Sequence, residues 1–190
     1  GGFGTVVKAI HRVKKVEVAI KIIPLTALTT LELQRRIENE IYIHKRVHHV
    51  NIIQLFEAFI ERNQYYLVME CAKEKNLFHY LSLHGRLSEA RAVKIIHQLL
   101  LALQYLHENR IVHRDVKLSN VLIADVVAQD LVIKLCDFGL AVELTHPDDD
   151  HYTYCGTPSY MAPETARQGQ GLGHSEAGAA VDIWGMGIIF

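Results

Sequence analysis

The segment His113-Arg114-Asp115-Val116-Lys117-Leu118-Ser119-Asn120 places a carboxylate, a cation and an amide at fixed, short spacing. Phosphoryl transfer from a nucleotide needs a carboxylate to orient the attacking hydroxyl and accept its proton. It also needs oxygen ligands for magnesium and cations against developing phosphate charge. Asp115 suits the first task, Asn120 a metal ligand, and Lys117 a cation beside the transferred group. Five specified types (His113, Arg114, Asp115, Lys117, Asn120) at one spacing arise by chance about once in three million positions, at roughly one in twenty per type, so the pattern is signal. Ile111-Val112 before it and Val121-Leu122-Ile123 after it read as short buried strands that would clamp the loop.

The elements that must position such a loop come from an ordinary globular composition. The chain has 190 residues, 49% hydrophobic and 22% charged, with net charge -1, enough to bury a sizeable core. Bulk charge gives no reason to expect a nucleic-acid or membrane-surface partner. Cys71, Cys136 and Cys155 are too few and scattered for a disulfide framework, and no pair has metal-ligand spacing, which fits a reducing, cytoplasmic setting. There is no signal peptide, no apolar run near 18 residues and no repeat. The sequence starts without Met inside a glycine-rich motif and reads as a fragment.

The loop resembles the catalytic loop of eukaryotic protein kinases, and further segments extend the resemblance along the chain. Gly1-Gly2-Phe3-Gly4-Thr5-Val6 is similar to the end of the kinase Gly-rich loop, where glycines let backbone N–H groups approach phosphates and Val6 covers the adenine. Val18-Ala19-Ile20-Lys21 is an apolar strand ending in the lysine that reaches phosphates. Leu31 to Val47 has helical periodicity through Leu33, Ile37, Ile41 and His44, and carries Glu40, the match to the glutamate that pairs with Lys21. Asn51 to Leu55 and Tyr65 to Met69 read as two strands of a small antiparallel sheet. The resemblance makes Met69 the gatekeeper and Glu70, Cys71 and Ala72 the hinge holding the adenine edge. Ala19 and Leu122 complete the nucleotide pocket, and Asn76 falls where the ribose contact belongs. The glycines usual after the hinge are replaced by Lys73-Glu74-Lys75.

Leu87 to Asn109 repeats apolar residues at helical intervals (Ala92, Ile95, Ile96, Leu99, Leu100, Leu103, Leu106), with Ser88 as N-cap. Leu131 to Leu135 is a strand leading into Cys136-Asp137-Phe138-Gly139, which resembles the kinase D-F-G: Asp137 binds magnesium, and Phe138 packs against His44, Leu55 and His113. Ala124 to Asp130 reads as a surface hairpin, and Cys136 as either a thiol facing the nucleotide or a buried, inert one. The segment to Ala162-Pro163-Glu164 resembles an activation segment, with Thr153 at the usual phosphorylation position and Arg114, joined by Arg36, as the partners of its phosphate. Lys117 and Gly156-Thr157-Pro158 match the serine/threonine pattern, in which Thr157 bridges Asp115 and Lys117. Tyr154, Pro158 and Met161 would line an apolar pocket after the acceptor.

The resemblance therefore implies an α+β, two-lobed protein-kinase fold, truncated at both ends, with a small lobe over residues 1–70 and a larger, mostly helical lobe over 71–190. It implies ATP and Mg2+ as cofactors, Ser/Thr-bearing protein substrates, and an upstream or trans-autophosphorylating kinase. His-Tyr-Thr-x-Cys-Gly-Thr-Pro, Leu-Ser-Asn and Asn-Glu-Ile-x-Ile-His resemble the polo-like kinases, especially the centriole-duplication branch, which makes the centriole, centrosome or basal body the address, with the nucleus open. That branch often departs from Lys at the position of Lys117. The missing glycines and the Gly/Ala-rich insertion at 169–180 keep a pseudokinase or interaction module as the alternative. Asp182 would anchor the catalytic loop from a helix in which Gly185 replaces the usual Ser. The chain stops before the family's remaining helices, so Trp184, Ile188, Ile189 and Phe190 are expected to lack partners and the isolated chain to fold poorly.

Overall fold

The computed structural model describes residues 4–144, 155–168 and 178–190. Four antiparallel strands, β1 (Thr5–Ile10), β2 (Glu17–Pro24), β3 (Leu55–Glu61) and β4 (Gln64–Glu70), form one sheet in the order β1-β2-β4-β3. Arg62 and Asn63 both adopt positive φ (47° and 64°) between β3 and β4, the conformation a two-residue hairpin needs to match strand twist. Against this sheet lies helix α1 (Leu31–Arg46), begun by Thr30, whose side chain accepts a hydrogen bond from Leu33 N at 3.2 Å. Its basic last turn (His44, Lys45, Arg46) suits the negative end of the helix dipole.

Strand register decides what faces α1. Val6 lies opposite Lys21, Ala19 opposite Met69, and Lys21 opposite Leu67, so these side chains share one face. On that face Ile23, Leu55 and Leu67 pack with Leu28 and Ile37 as a compact apolar cluster.

The larger lobe is mostly helical. Helix α2 (Leu77–His84) is capped by Asn76, and α3 (Glu89–Glu108) runs through the core. Two short antiparallel ribbons follow: β5 (Ile111–Val112) with β8 (Val142–Glu143), and β6 (Val121–Val127) with β7 (Asp130–Leu135). Helices α4 (Pro163–Gln168) and α5 (Ala180–Ile189) complete the described residues. Ile95, Leu99, Leu103 and Leu106 of α3 pack with Ile123, Ile133, Leu135 and Phe138. The expected surface hairpin is the β6/β7 turn, where Ala128 and Gln129 take positive φ.

Four expectations change. Asn51 to Leu55 is not a strand: Ile53 N donates to Leu135 O (2.9 Å) and Leu135 N to Asn51 O (2.8 Å), so this apolar run is buried against the larger lobe. The strand starts at Leu55 and runs through residues that are mostly exposed on both faces, which hid it. Ser88 sits at the α3 N-cap but its side chain makes no capping bond. Leu55 belongs to the small-sheet cluster rather than to the one containing Phe138. Ile189 packs against the main core, whereas Trp184, Ile188 and Phe190 are exposed as expected. Of the 169–180 insertion, residues 169–177 lie outside the described set.

Asn51 is buried, and its Nδ2 donates to Ile133 O (2.9 Å) and Gln98 Oε1 (3.2 Å). Removing the amide strands a buried carbonyl. Asn51→Ala should lower unfolding free energy by about 1–3 kcal/mol, read from the midpoint shift in urea at unchanged m-value.

Candidate active site

The site is assembled where the sheet meets the β5–β6 loop. Gly4 shows why no side chain is tolerated at the base of the glycine-rich motif: a Cβ there would lie 2.5 Å from Ile22 O. Gly1, Gly2 and Phe3 lie outside the described residues. Lys21, from β2, points toward α1, and its Nζ is 2.6 Å from Glu40 Oε1 and 3.7 Å from Asp137 Oδ1. Burial pushes the Glu40 carboxyl up against the pull of Lys21. Burial also opposes the Lys21 ammonium, but Glu40 and Asp137 outweigh it and raise its pKa.

The second half of the site is built on Asp115. Lys117 Nζ contacts Asp115 Oδ2 at 2.7 Å and donates to Thr157 Oγ1 at 2.7 Å, while Thr157 Oγ1 donates to Asp115 Oδ1 at 2.8 Å. Asn120 Nδ2 donates to Asp115 O (2.9 Å) and Oδ2 (3.0 Å), which leaves the Asn120 amide oxygen available as a ligand. The bridge expected of Thr157 is thus formed.

Asp137 adopts φ 69°, a conformation costly for a non-glycine residue. Despite burial, Lys21, His113 and the Gly139 N–H hold its carboxyl below the usual range, so it is ionised at neutral pH. Phe138 is fully buried, stacked on His44 (centroids 4.6 Å) and edge-on to His113 (5.2 Å). Cys136 is partly exposed, and desolvation pushes its thiol up to about 12, which disfavours the reactive thiolate at neutral pH.

The loop itself hangs from α5. Asp182, fully buried, accepts from His113 N (2.9 Å) and Arg114 N (2.7 Å), and contacts His107 Nε2 at 2.8 Å. Arg114 Nε donates to Leu140 O (2.7 Å) and Arg36 Nε to Gly139 O (3.0 Å). Burial and the neighbouring Arg36 lower the pKa of Arg114, so two guanidinium groups lie close together at this corner. Thr153 and Tyr154 lie outside the described residues.

Around the cleft, Val6, Ala19 and Met69 share the face of Lys21, and Leu122 bridges to Asn76. Glu70 N donates to Gln54 O (2.9 Å), and the Glu70 carboxylate pairs with Lys134 at 2.8 Å. Glu70 is therefore engaged away from a ligand through these groups, and among the described residues the Ala72 N–H is uncommitted. The Asn76 Oδ1 caps α2 by accepting from His79 N at 2.9 Å, so only its amide NH2 is left for a ribose. Lys134, a lone cation in an apolar strand, was the sequence signal for the Glu70 partner.

Donor chemistry fits the implied cofactors. Asp137 and the Asn120 amide oxygen are hard oxygen ligands of the kind magnesium takes alongside phosphates, and Lys21 is a fixed cation beside them.

This constellation on a two-lobed α+β frame defines a phosphotransferase fold, and the chain belongs to the protein kinase family: the family described as “Protein kinase domain” matches residues 1–190. More particularly, the chain is 38% identical, over 100% of its length, to serine/threonine-protein kinase PLK4 of Drosophila willistoni, and 37% identical, over 98%, to that of Drosophila melanogaster. It covers 23% of each relative's length. Among the described residues no helix is long and apolar enough to cross a membrane.

Buried His44 makes the stability of the fold pH-dependent. Burial lowers its pKa from 6.5 to about 4, so the unfolded chain binds the proton first as pH falls. Its contribution is complete above pH ~6.5 and is lost between ~6.5 and ~4, on the order of 3 kcal/mol in all. Urea unfolding across that window should show the loss in the parent and a flatter profile in His44→Leu.

Proposed function

We propose that this chain is the catalytic core of an ATP- and magnesium-dependent protein serine/threonine kinase of the polo-like, PLK4 type. The observation that carries this reading is a pair of ion sets: Lys21 held between Glu40 and Asp137, and an Asp115 that Lys117, Thr157 and Asn120 all contact. A scaffold without transfer would have no need to retain all of these groups in register.

In this mechanism Gly4, Val6, Ala19 and Leu122 with the hinge residues Met69, Glu70 and Ala72 would line the ATP site, and the motif resemblance adds Gly1, Gly2 and Phe3 from outside the described residues. Asp137 and the Asn120 amide oxygen would hold magnesium, whose charge would neutralise the phosphates. Lys21, oriented by Glu40, orients the phosphates. Asp115 accepts the proton of a substrate Ser or Thr hydroxyl as it attacks, and Lys117 stabilises the charge that moves onto the transferred group. Thr157 holds the Asp115 and Lys117 side chains at their working separation. Chemistry of this kind is mainly positioning.

The division into lobes over 1–70 and 71–190 is supported by the end of β4 at Glu70 and by Lys73 N and Glu74 N donating to Ala124 O and Ile123 O of the larger lobe. Activation by phosphorylation at Thr153 is supported by the two guanidinium groups, Arg114 and Arg36, that both donate to the start of the activation segment, at Leu140 O and Gly139 O. The enzyme that phosphorylates it is an upstream kinase or a second copy of the protein, and the motif resemblance to the centriole-duplication branch supports a centriolar setting.

The test is transfer of the ATP γ-phosphate to a Ser/Thr protein substrate by the full-length protein. Asp115→Asn should cut kcat by about 10²–10⁴-fold with ATP binding retained; equal rates in parent and variant would exclude the mechanism. Thr153→Ala should lower kcat, and a phosphate-mimicking or phosphorylated Thr153 should restore it; full turnover by Thr153→Ala would remove the activation step.

A further inference from the structure

Helix α1 does more than carry Glu40. Arg36, Asn39, Glu40 and Arg46 recur at helical spacing along one side of it, and all but Glu40 grip the segment from Gly139 to Glu143. Arg36 Nε donates to Gly139 O (3.0 Å) and Asn39 Nδ2 to Ala141 O (3.0 Å). Arg46 then makes a fork: Nη1 donates to Glu143 Oε2 at 2.6 Å and Nη2 to Glu143 Oε1 at 3.0 Å. Its guanidinium also lies over the Tyr42 ring, 4.9 Å from the centroid, so the side chain is held from two directions.

Glu143 is one strand away from the reacting residues. It pairs with Ile111 across the β5/β8 ribbon, Leu144 N donates to Arg110 O at 2.8 Å, and β5 runs directly into His113. The fork therefore joins the C-terminal end of α1 to the strand that leads into the catalytic loop. The Arg46 and Glu143 side chains are 46% and 28% exposed, and a pair so exposed adds little to global stability. What a bidentate fork supplies is a fixed geometry. Neither residue has a part in the transfer chemistry, and the pattern of a terminal helix Arg with a Glu six residues after Asp137 did not stand out in the sequence.

We propose that Arg46 and Glu143 are positioning residues: their fork latches α1 to the β5/β8 ribbon and thereby holds Glu40 against Lys21, independently of a phosphate on the activation segment. This rests on the kinase reading above. The latch makes the approach of Glu40 to Lys21 a property of the unmodified chain, so that Thr153 phosphorylation adds to an arrangement already formed.

The experiment compares Arg46→Glu, Glu143→Arg and the double charge swap in the full-length protein, by kinetics in ATP, by hydrogen exchange of the α1 amides and by thermal melting. Each single reversal should lower kcat/KM for ATP about three- to tenfold and speed α1 exchange, with Tm moved by no more than about 2 °C. The double swap should recover at least half of the lost activity and slow exchange again. The single variants should suffer more in a Thr153→Ala background. Unchanged kinetics and exchange in the single variants overturn the latch, and so does a loss that the swap fails to recover. If the parent itself transfers no phosphate, the kinase reading fails, and the exchange arm still decides the latch: unaltered α1 exchange on charge reversal rejects it.

Discussion

The arrangement depends first on the Asp182 carboxylate. It has no exposure to water, yet accepts from two successive backbone amides, His113 N and Arg114 N, and contacts His107. A buried charge left unpaired would be expelled or neutralised, so this site is stable only while the loop keeps both amides turned inward. Arg114 does so by adopting φ 63°, a strained choice for a side chain with a Cβ. The same turn sends the Arg114 side chain toward Leu140 and leaves Asp115 facing Lys117 and Thr157. One carboxylate thus sets the direction of three consecutive residues. Gly185 belongs to this constraint, because a Cβ there would lie 2.7 Å from Val116 O; α5 approaches the loop closely enough that its backbone forms part of the floor.

A second strained residue, Asp137 at φ 69°, mirrors the first. Its distortion is fastened by Phe138, which is locked between His44 and His113. His44 Nε2 in turn contacts Ile53 O at 2.7 Å, and His113 Nε2 contacts Cys136 O at 3.1 Å. Two buried imidazoles, each tied to a backbone carbonyl, therefore clamp the ring, and with it the orientation of the preceding carboxylate. One strained position directly precedes Asp115 and the other is Asp137 itself, as expected when local strain is stored where positioning matters.

Much of this was legible in the sequence, because the chemistry-bearing residues are contiguous and their types are restrictive. Lys21, Glu40 and Asp137 come together as one set and Asp115, Lys117, Asn120 and Thr157 as another, in line with what the family resemblance implied. Elements were misread where burial and secondary structure part company. Ile52 and Ile53 are apolar because they pack on the larger lobe, not because they form a strand. Phe56, Phe59 and Ile60 form a strand while remaining largely exposed. Helix α2 went unnoticed although its stop signals were present: Asn76 caps its start, and Gly85, at φ 74°, ends it. Strand β8 is two residues long and is stabilised by pairing with β5, a long-range contact with no local signature. The Arg46–Glu143 pair is hidden for the same reason, since it links residues far apart in the chain.

Helix α1 gains its authority over the site from belonging to two cores at once. Its first half places Ile37 among Ile23, Leu55 and Leu67 under the small sheet, with Leu33 and Ile41 packed alongside. Its second half sends Ile43, and Val47 just beyond, into the cluster of Leu99, Leu103 and Phe138 in the larger lobe. Glu40 lies between the two sets. Withdrawing Glu40 from Lys21 requires the helix to rotate or slide, and either motion pulls Ile37 and Ile43 from different close-packed surroundings together. Each fully buried aliphatic side chain is worth about 1.5–3 kcal/mol, whereas the side-chain contacts of α1 to residues 139–143 are individually small. The two cores therefore supply most of the energy that keeps α1 in place, and the polar contacts along its side select which rotation the cores accept.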